Sequence, residues 1–270
     1  MKTIGGLGKA SREQLGRVLR DSTGTVSPAQ AARVLGIDAR AASQLLARWC
    51  VQGWLARVRR GLYVPVPIES PTADIGIEDP WIIAEQLFSP CYIGGWSAAE
   101  YWGLTEQLFR SILVVTSRRP RARKVNARGA AFVIRTVSAS AMFGLQPVWR
   151  GRVKVMVSDP ARTVIDMLNA PALGGGIRTV TEVLRAYRAS ESWEPDLLIG
   201  YAGKLGSKTV FKRLGYLLSA YFPEERALIE QCRASLSTGN AKLDPKLPAV
   251  RMVTNWRLWV PDGYPGVSKT

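Results

Sequence analysis

The chain has 270 residues, with 37 Lys and Arg against 21 Asp and Glu, a net charge of +16 and no histidine. The absence of histidine excludes His-based catalytic triads, histidine general bases and His-containing zinc sites. The three cysteines, Cys50, Cys91 and Cys232, are odd in number and far apart, so neither a zinc knuckle nor a disulfide framework is expected. No apolar h-region and no bilayer-length apolar run is found, so we predict a cytoplasmic protein with a polyanionic partner.

The first 67 residues are predicted to form three helices and a β-hairpin. The predicted elements lie at 12–19, 28–35, 39–51, 54–58 and 62–64. Ser11, Ser27 and Asp38 are the predicted N-caps, and a proline follows Ser27 at the first helical position. This order is typical of a winged helix-turn-helix, so the predicted fold class is α+β, with this unit followed by a larger mixed α+β domain.

DNA is the partner that the residue types of this unit favour. It carries eleven Lys or Arg against three acidic residues, although a helical bundle whose arginines only solvate its surface is the alternative. On the third helix we expect Arg40, Ser43 and Gln44 to reach base edges in the major groove. The remaining candidates are expected on phosphates or in the minor groove: Arg33, Arg48, Arg57, Arg59, Arg60 and Tyr63.

A proline-containing, acidic connector at 68–78 is predicted to separate this unit from the second domain, 79–270. Asp79-Pro80 and Asp159-Pro160 each begin a helix, and Ser97 with Glu100 is predicted to form a capping box. The remaining predicted elements are strands at 92–95, 111–116, 131–137, 153–157 and 251–260, and helices at 180–189, 195–205, 210–221 and 224–235. Ser207 is a predicted cap, and Gly174–Gly176 is predicted to be a flexible loop.

A run of cations with no carboxylate nearby is the densest charge in the chain. It consists of Arg118, Arg119, Arg121, Arg123, Lys124 and Arg128. Such like charges repel one another unless a polyanion neutralises them, so we interpret the run as a secondary polyanion-binding surface, with a solvated loop as the alternative.

Arg162 and Asp166 lie four residues apart on the helix after Asp159-Pro160, a spacing typical of a weak structural ion pair. Among the aromatic residues, five could stack on bases but are assigned to packing unless exposed: Trp96, Tyr101, Trp102, Trp256 and Trp259. The predicted strands have few acidic residues near them, so metal-dependent phosphodiester chemistry is not expected.

Several segments resemble the AbiEi family of antitoxins, the regulator half of two-gene AbiE systems, over nearly the whole chain. They are RRGLYVPVP, YIGGWSAAEYWGLTEQ, ILVVTSRRPR, VKVMVSDPARTVIDML and NWRLWV, of which RGLYVP and SDPARTVIDML are the most specific. The resemblance implies that the winged head binds inverted repeats in its own promoter and represses its operon. It also implies that the second domain counteracts a nucleotidyltransferase-like toxin, in a type IV system in which tight toxin contact is not obligatory.

Neither role requires a cofactor or a metal, and a non-enzymatic regulator is expected. Two other classes of protein remain open on the sequence. A DNA-targeted nuclease would use the winged head to position a catalytic domain, and it predicts divalent-metal-dependent cleavage. An interaction protein would use both domains mainly to hold the toxin, and it predicts a stable complex with that partner.

Overall fold

The computed structural model describes residues 8–22, 24–59, 61–66, 79–127, 129–151 and 153–265. The chain is a mixed α+β protein, as predicted. The expected linker, 68–78, lies outside the described residues, so the domain boundary placed there stays a prediction. Within the described ranges, no helix combines the length and the apolar character that crossing a bilayer requires.

Three helices and a hairpin form the head at the beginning of the chain. Their bounds are α1 Lys9–Arg20, α2 Pro28–Leu35, α3 Ala39–Val51, β1 Leu55–Arg59 and β2 Leu62–Pro65. An isolated antiparallel bridge joins Val26 to Tyr63, so the segment before α2 adds to the hairpin. Leu46 and Trp49 of α3 are completely buried in the core of the head. Gly8, not Ser11, occupies the N-cap of α1, so the cap predicted at Ser11 is wrong and Ser11 lies inside the helix.

The second domain begins with a sheet and its covering helices. The bounds of this part are α4 Pro80–Phe88, β3 Cys91–Ile93, α5 Gly95–Tyr101, β4 Ser111–Thr116, β5 Lys124–Ala127, β6 Ala130–Thr136, β7 Leu145–Arg150 and β8 Val153–Ser158. The strand order is β5-β6-β4-β3-β8-β7. The β4/β6 and β3/β8 pairs are parallel, and the other pairs are antiparallel. Ile83 of α4 and Ala98 of α5 pack with Ile93, Val114 and Val157 in one core.

Helices dominate the rest of the chain, and a small sheet ends it. The bounds are α6 Pro160–Asn169, α7 Ile177–Ala189, α8 Pro195–Leu205, α9 Lys208–Tyr221, α10 Arg226–Ala234, β9 Ala241–Lys242, β10 Arg251–Val253 and β11 Leu258–Val260. Arg213 on α9 donates to the carbonyls of Leu168 at 2.7 Å, Asn169 at 2.9 Å and Lys242 at 2.8 Å. This buried guanidinium satisfies carbonyls at the C-terminal end of α6 and joins that end to β9. Burial lowers the pKa of Arg213 to about 10.

The short strand β9 and two strands of the six-stranded sheet were not predicted, and those two lie at the edges of that sheet. β5 begins inside the cationic run, for which the sequence predicted a polyanion-binding surface with a solvated loop as the alternative, and β7 contains Pro147. Edge strands tolerate charge and proline because one side of their backbone has no neighbouring strand.

Three local predictions are corrected by the structure, and a fourth, the cap at Ser207, is confirmed in position alone. Ser97 does not cap α5, because it lies within that helix and accepts a hydrogen bond from the backbone N–H of Leu113 at 3.0 Å. The single strand predicted at 251–260 is a pair, β10 and β11, separated by a 3-10 turn. Ser207 stands at the N-cap of α9 without a side-chain hydrogen bond. Gly174 is packed so closely that a Cβ there would lie 2.4 Å from Met167 Cε, so the triplet does not form an open loop.

Candidate nucleic-acid interface

The start of α3 is fixed by two local features of the sequence. Gly36 ends α2 with a φ of 68°, a left-handed conformation that glycine adopts without strain. The Asp38 carboxylate then accepts hydrogen bonds from the backbone N–H groups of Arg40 at 2.8 Å and Ala41 at 2.9 Å. These two features produce the sharp turn between α2 and α3 and set the direction in which α3 leaves the head.

The two faces of α3 are clearly different. Ala42, Leu46 and Trp49 are completely buried. Arg40, Gln44 and Arg48 are exposed and recur at a spacing of four, so they form one stripe along the opposite side. A cationic and amide-bearing stripe on an exposed helix face provides the side chains that read base edges and bind phosphates in a major groove.

Ser43 and Arg33 are each partly committed to contacts within the head. The Ser43 hydroxyl donates to the backbone carbonyl of Ala39 at 2.8 Å, which leaves its oxygen free only to accept. Arg33 on α2 forms an ion pair with Asp21 at 2.8 Å, although its side chain is 73% exposed. The charge of Arg33 is therefore already balanced, which makes it a weaker candidate for a phosphate contact than Arg48.

The wing is the hairpin of β1 and β2, with a register irregularity between Arg57 and Arg59. Arg57 is exposed. The side chain of Arg59 and the whole of Arg60 lie outside the described residues, so their DNA contacts stay predictions. Tyr63 is only 4% exposed and packs in the core of the head. The structure therefore contradicts the expected DNA contact by the Tyr63 ring, because that side chain stabilises the hairpin instead.

The cationic run of the second domain lies on an exposed surface. Arg118, Arg119, Arg121, Arg123 and Lys124 are all exposed, and within the described part of the chain none of them has a carboxylate within ion-pair distance. Arg128 lies outside the described residues. The structure therefore gathers the described members of the run around β5 at the edge of the sheet, with their charges unbalanced.

Arg162 and Asp166 form a buried pair, whereas their spacing alone predicted a weak structural ion pair. The Arg162 Nη2 lies 2.9 Å from Asp166 Oδ1, and the Tyr92 hydroxyl donates to Asp166 Oδ2 at 2.8 Å. The Arg162 side chain is 0% exposed, and its guanidinium lies 4.0 Å from the centre of the Phe143 ring. Burial raises the pKa of the Asp166 carboxyl, while Arg162 and Tyr92 oppose that shift. Sequence spacing alone does not reveal this burial.

Asp159 also has a structural task. One of its carboxylate oxygens accepts from the backbone N–H of Arg162 at 2.7 Å, and the other accepts from the Tyr201 hydroxyl at 2.9 Å. The SDPARTVIDML segment therefore caps α6 and anchors it to β3 and α8. This arrangement fits the structural interpretation that the sequence favoured for the segment.

No group of three or more His, Cys, Asp or Glu side chains is placed to hold a metal ion in the part of the chain that the structure describes.

Of the five aromatic residues considered for stacking, Trp96 and Trp256 are buried, whereas Tyr101 and Trp259 are each 39% exposed. The sequence did not single out Trp149, which is 65% exposed on β7. It also did not indicate Arg150, whose guanidinium lies 4.3 Å from the centre of the Trp81 ring. No sequence signal predicts that β7, which carries Arg150, lies against α4, which carries Trp81.

Comparison with known proteins relates the head to a family and the whole chain to a fold. The crystal structure of the RV2827C protein from Mycobacterium tuberculosis matches with a TM-score of 0.58 and 18% identity, over 93% of this chain and 90% of that chain. At this identity the likeness concerns the fold alone. No curated protein matches the chain significantly. Residues 13–66, which span most of the head, match the family of AbiEi antitoxin transcriptional regulators. The head of the chain is therefore similar to the AbiEi antitoxin transcriptional regulators, the family that the sequence motifs resemble.

Proposed function

We propose that the protein acts in the cytoplasm as a DNA-binding repressor of its own operon and as the antitoxin of a two-gene system. The head binds inverted repeats in the promoter, and the second domain counteracts a nucleotidyltransferase-like toxin. The family match to the head supports the regulatory half of this proposal. The toxin half rests on the same family and on the motif resemblance of the second domain.

The observation that carries the DNA-binding proposal is the exposed stripe of α3. Arg40 and Gln44 are the base-reading residues in this proposal, and Ser43 contributes as a hydrogen-bond acceptor. Arg48, one turn further along, contacts a phosphate. The buried face, with Leu46 and Trp49 at 0% exposure, holds the stripe rigidly against the head. A rigid recognition helix is preorganised, so little entropy is lost when DNA binds.

The wing and the cationic run extend the proposed contact surface. Arg57, Arg59 and Arg60 lie on phosphates or in the minor groove beside the site that α3 reads, and Arg33 has a minor role. DNA that flanks the repeats binds to the exposed cations around β5, which are Arg118, Arg119, Arg121, Arg123 and Lys124. Arg128, which lies outside the described residues, contributes to the same contact in this proposal. These contacts add affinity without adding sequence preference.

The decisive experiment measures binding of the full-length protein to its own upstream DNA and to a scrambled duplex across a range of salt concentrations. A triple variant, R40A/Q44A/R48A, should lose the preference for the upstream DNA. Arg226→Ala is the matched control, because it removes an exposed arginine from α10, far along the chain from the head. Equal affinity of the native protein for both duplexes would contradict the repressor proposal.

A second experiment tests the role of the cationic run. The variant R121A/R123A/K124A should keep the preference for upstream DNA but reduce the slope of log K against log salt by about 0.9 for each phosphate that it no longer neutralises. An unchanged slope would show that DNA does not reach β5.

Incubation of the same duplexes with the protein and Mg²⁺ or Mn²⁺ tests the nuclease alternative, which requires cleavage products.

A further inference from the structure

A cavity of about 490 Å³ lies in the second domain, between the beginning of α4, the end of α5 and the beginning of β4. This volume is within the range of small-molecule sites in proteins, roughly 300–1,000 Å³. Its walls include three aromatic rings from different parts of the chain, Trp81, Tyr101 and Phe109. Its charged groups are Asp79, Glu100 and Arg150.

The aromatic walls are held in place by neighbouring side chains. The Tyr101 ring lies 5.3 Å from Trp81 and packs against the edge of Trp102 at 4.7 Å. Phe109 stacks on Trp96 at 5.4 Å, and the Trp96 indole N–H donates to the Ser111 carbonyl at 2.7 Å. The walls therefore keep their spacing without a ligand, and a flat ring can enter without a large loss of side-chain entropy.

The polar groups of the cavity have unused hydrogen-bonding capacity. The Arg150 Nε is buried without a hydrogen-bond partner in the described structure, although Asp79 Oδ2 lies within ion-pair distance at 3.5 Å. Glu100 is exposed and has no cation within ion-pair distance among the described residues. Two carboxylates against one guanidinium make this cavity acidic in a protein of net charge +16. Phosphate groups are therefore disfavoured inside it.

We propose that this cavity binds a nucleobase that carries an exocyclic amino group. The ring lies against Tyr101 and Phe109, beside the Arg150 guanidinium that covers Trp81, and its amino group donates to Glu100. Aromatic side chains stack on the face of any base, and a carboxylate selects the edge that presents an amino group. The Arg150 guanidinium offers donors to a ring nitrogen or carbonyl of the same base.

A cationic side chain from a partner protein fits this cavity less well. Arg150 already covers the Trp81 ring at 4.3 Å and lies 5.5 Å from the Tyr101 ring. A second cation would have to displace it or lie beside it, at a cost in like-charge repulsion. A neutral flat ring meets no such repulsion. The base comes either from a free nucleoside or from an unpaired position in a nucleic acid, and the proposal does not depend on operator binding by the head.

Calorimetric titration of the full-length protein with guanosine, adenosine, cytidine and uridine tests the proposal. At least one amino-bearing nucleoside should bind about tenfold more tightly than uridine. Glu100→Gln should reduce that difference, because its amide oxygen still accepts a hydrogen bond but carries no charge. Tyr101→Ala should weaken binding of every base about tenfold or more. Trp259→Ala is the matched control, because Trp259 is also 39% exposed but lies outside the cavity.

Single-stranded oligonucleotides distinguish the two sources of the base. If an unpaired base in a nucleic acid is the ligand, an oligonucleotide should bind more tightly than its nucleoside, and E100Q and Y101A should remove part of that affinity. If a free nucleoside is the ligand, those variants should leave oligonucleotide binding unchanged while nucleoside binding falls. The proposal is overturned if no nucleoside or oligonucleotide binding depends on Glu100 and Tyr101.

Discussion

Arginine has opposite tasks in the two parts of the molecule. In the head, Arg40 and Arg48 are exposed on α3, with no ion-pair partner in the described ranges. In the second domain, Arg162 and Arg213 are almost completely buried and bind a carboxylate or backbone carbonyls. The net charge of +16 counts all of them equally. The comparison teaches that burial, rather than charge, separates the arginines available to a partner from those that hold the fold together.

The largest effect should come from breaking the buried pair. Arg162→Met leaves the Asp166 carboxylate buried with the Tyr92 hydroxyl as its remaining hydrogen-bond partner among the described residues, so the free energy of unfolding should fall by about 3–5 kcal/mol. Urea denaturation followed by circular dichroism measures this change. Arg40→Ala is the control from the head and should change stability by less than about 0.5 kcal/mol.

The double variant R162M/D166L sharpens the same comparison. Removing both charges eliminates the unpaired buried carboxylate, so this variant should recover most of the stability that R162M loses. Equal decreases in stability for R162M and R40A would show that the pair contributes no more than a surface charge.

The next effect concerns DNA binding by two neighbours on α3. Gln44→Ala should cost about 1–3 kcal/mol on the operator and little on random DNA, because it removes a base contact. Arg48→Ala should weaken binding to both duplexes and flatten the salt dependence, because it removes a phosphate contact. Fluorescence anisotropy at several salt concentrations separates the two. Similar decreases in affinity on both duplexes for Q44A would exclude its base-reading role.

A smaller effect is expected at the beginning of α3. Asp38→Ala removes the acceptor for two backbone N–H groups, so the head should lose about 0.5–2 kcal/mol of stability. Ser11→Ala is a useful comparison, because the sequence indicated a cap at Ser11 whereas the structure places it inside α1. Thermal denaturation should show a clear shift for D38A and almost none for S11A; equal shifts would contradict the assignment of the caps.

The smallest expected effect concerns the relative reactivity of the three cysteine thiols. Cys50 in the head is half-buried, whereas Cys91 and Cys232 in the second domain are buried. Burial raises the pKa of the Cys232 thiol to about 12 and raises the pKa of Cys91 as well. Because the thiolate is the reactive form, Cys50 should react first with a colorimetric thiol reagent at pH 8, and all three should react in urea. Rapid reaction of Cys232 in the native protein would contradict its burial.

The head was predictable because its signals are local. Gly36 and Asp38 define the beginning of α3, and the sequence predicted the end of that helix at about Val51, where it ends in the structure. Pro28 and Ser27 identified α2 in the same way. The edge strand β5 was not predicted because a segment rich in cations is typical of a loop, and the sequence does not show that this segment pairs with β6. The prediction of a capping box at Ser97 was wrong because the Ser97 hydroxyl accepts a tertiary hydrogen bond from Leu113 of β4.

The same difference between local and tertiary signals separates the two candidate sites. The stripe of α3 could be predicted from periodicity, since one helix carries all of its members. The cavity of Trp81, Tyr101 and Arg150 could not, because these residues lie on three elements that only the fold brings together. The failure at Arg162 has the same origin: a spacing of four places two side chains on one helix face but does not say what covers that face.

The edges of the six-stranded sheet have a consequence for self-association. At one edge β5 begins with the exposed Lys124, directly after the exposed Arg123, and at the other edge β7 carries Pro147. Like charges repel a second copy of β5, and a proline interrupts the row of backbone donors on β7. The sheet therefore resists growth by strand addition at either side. Two copies that meet on neighbouring DNA repeats are therefore not expected to join their six-stranded sheets into one continuous sheet.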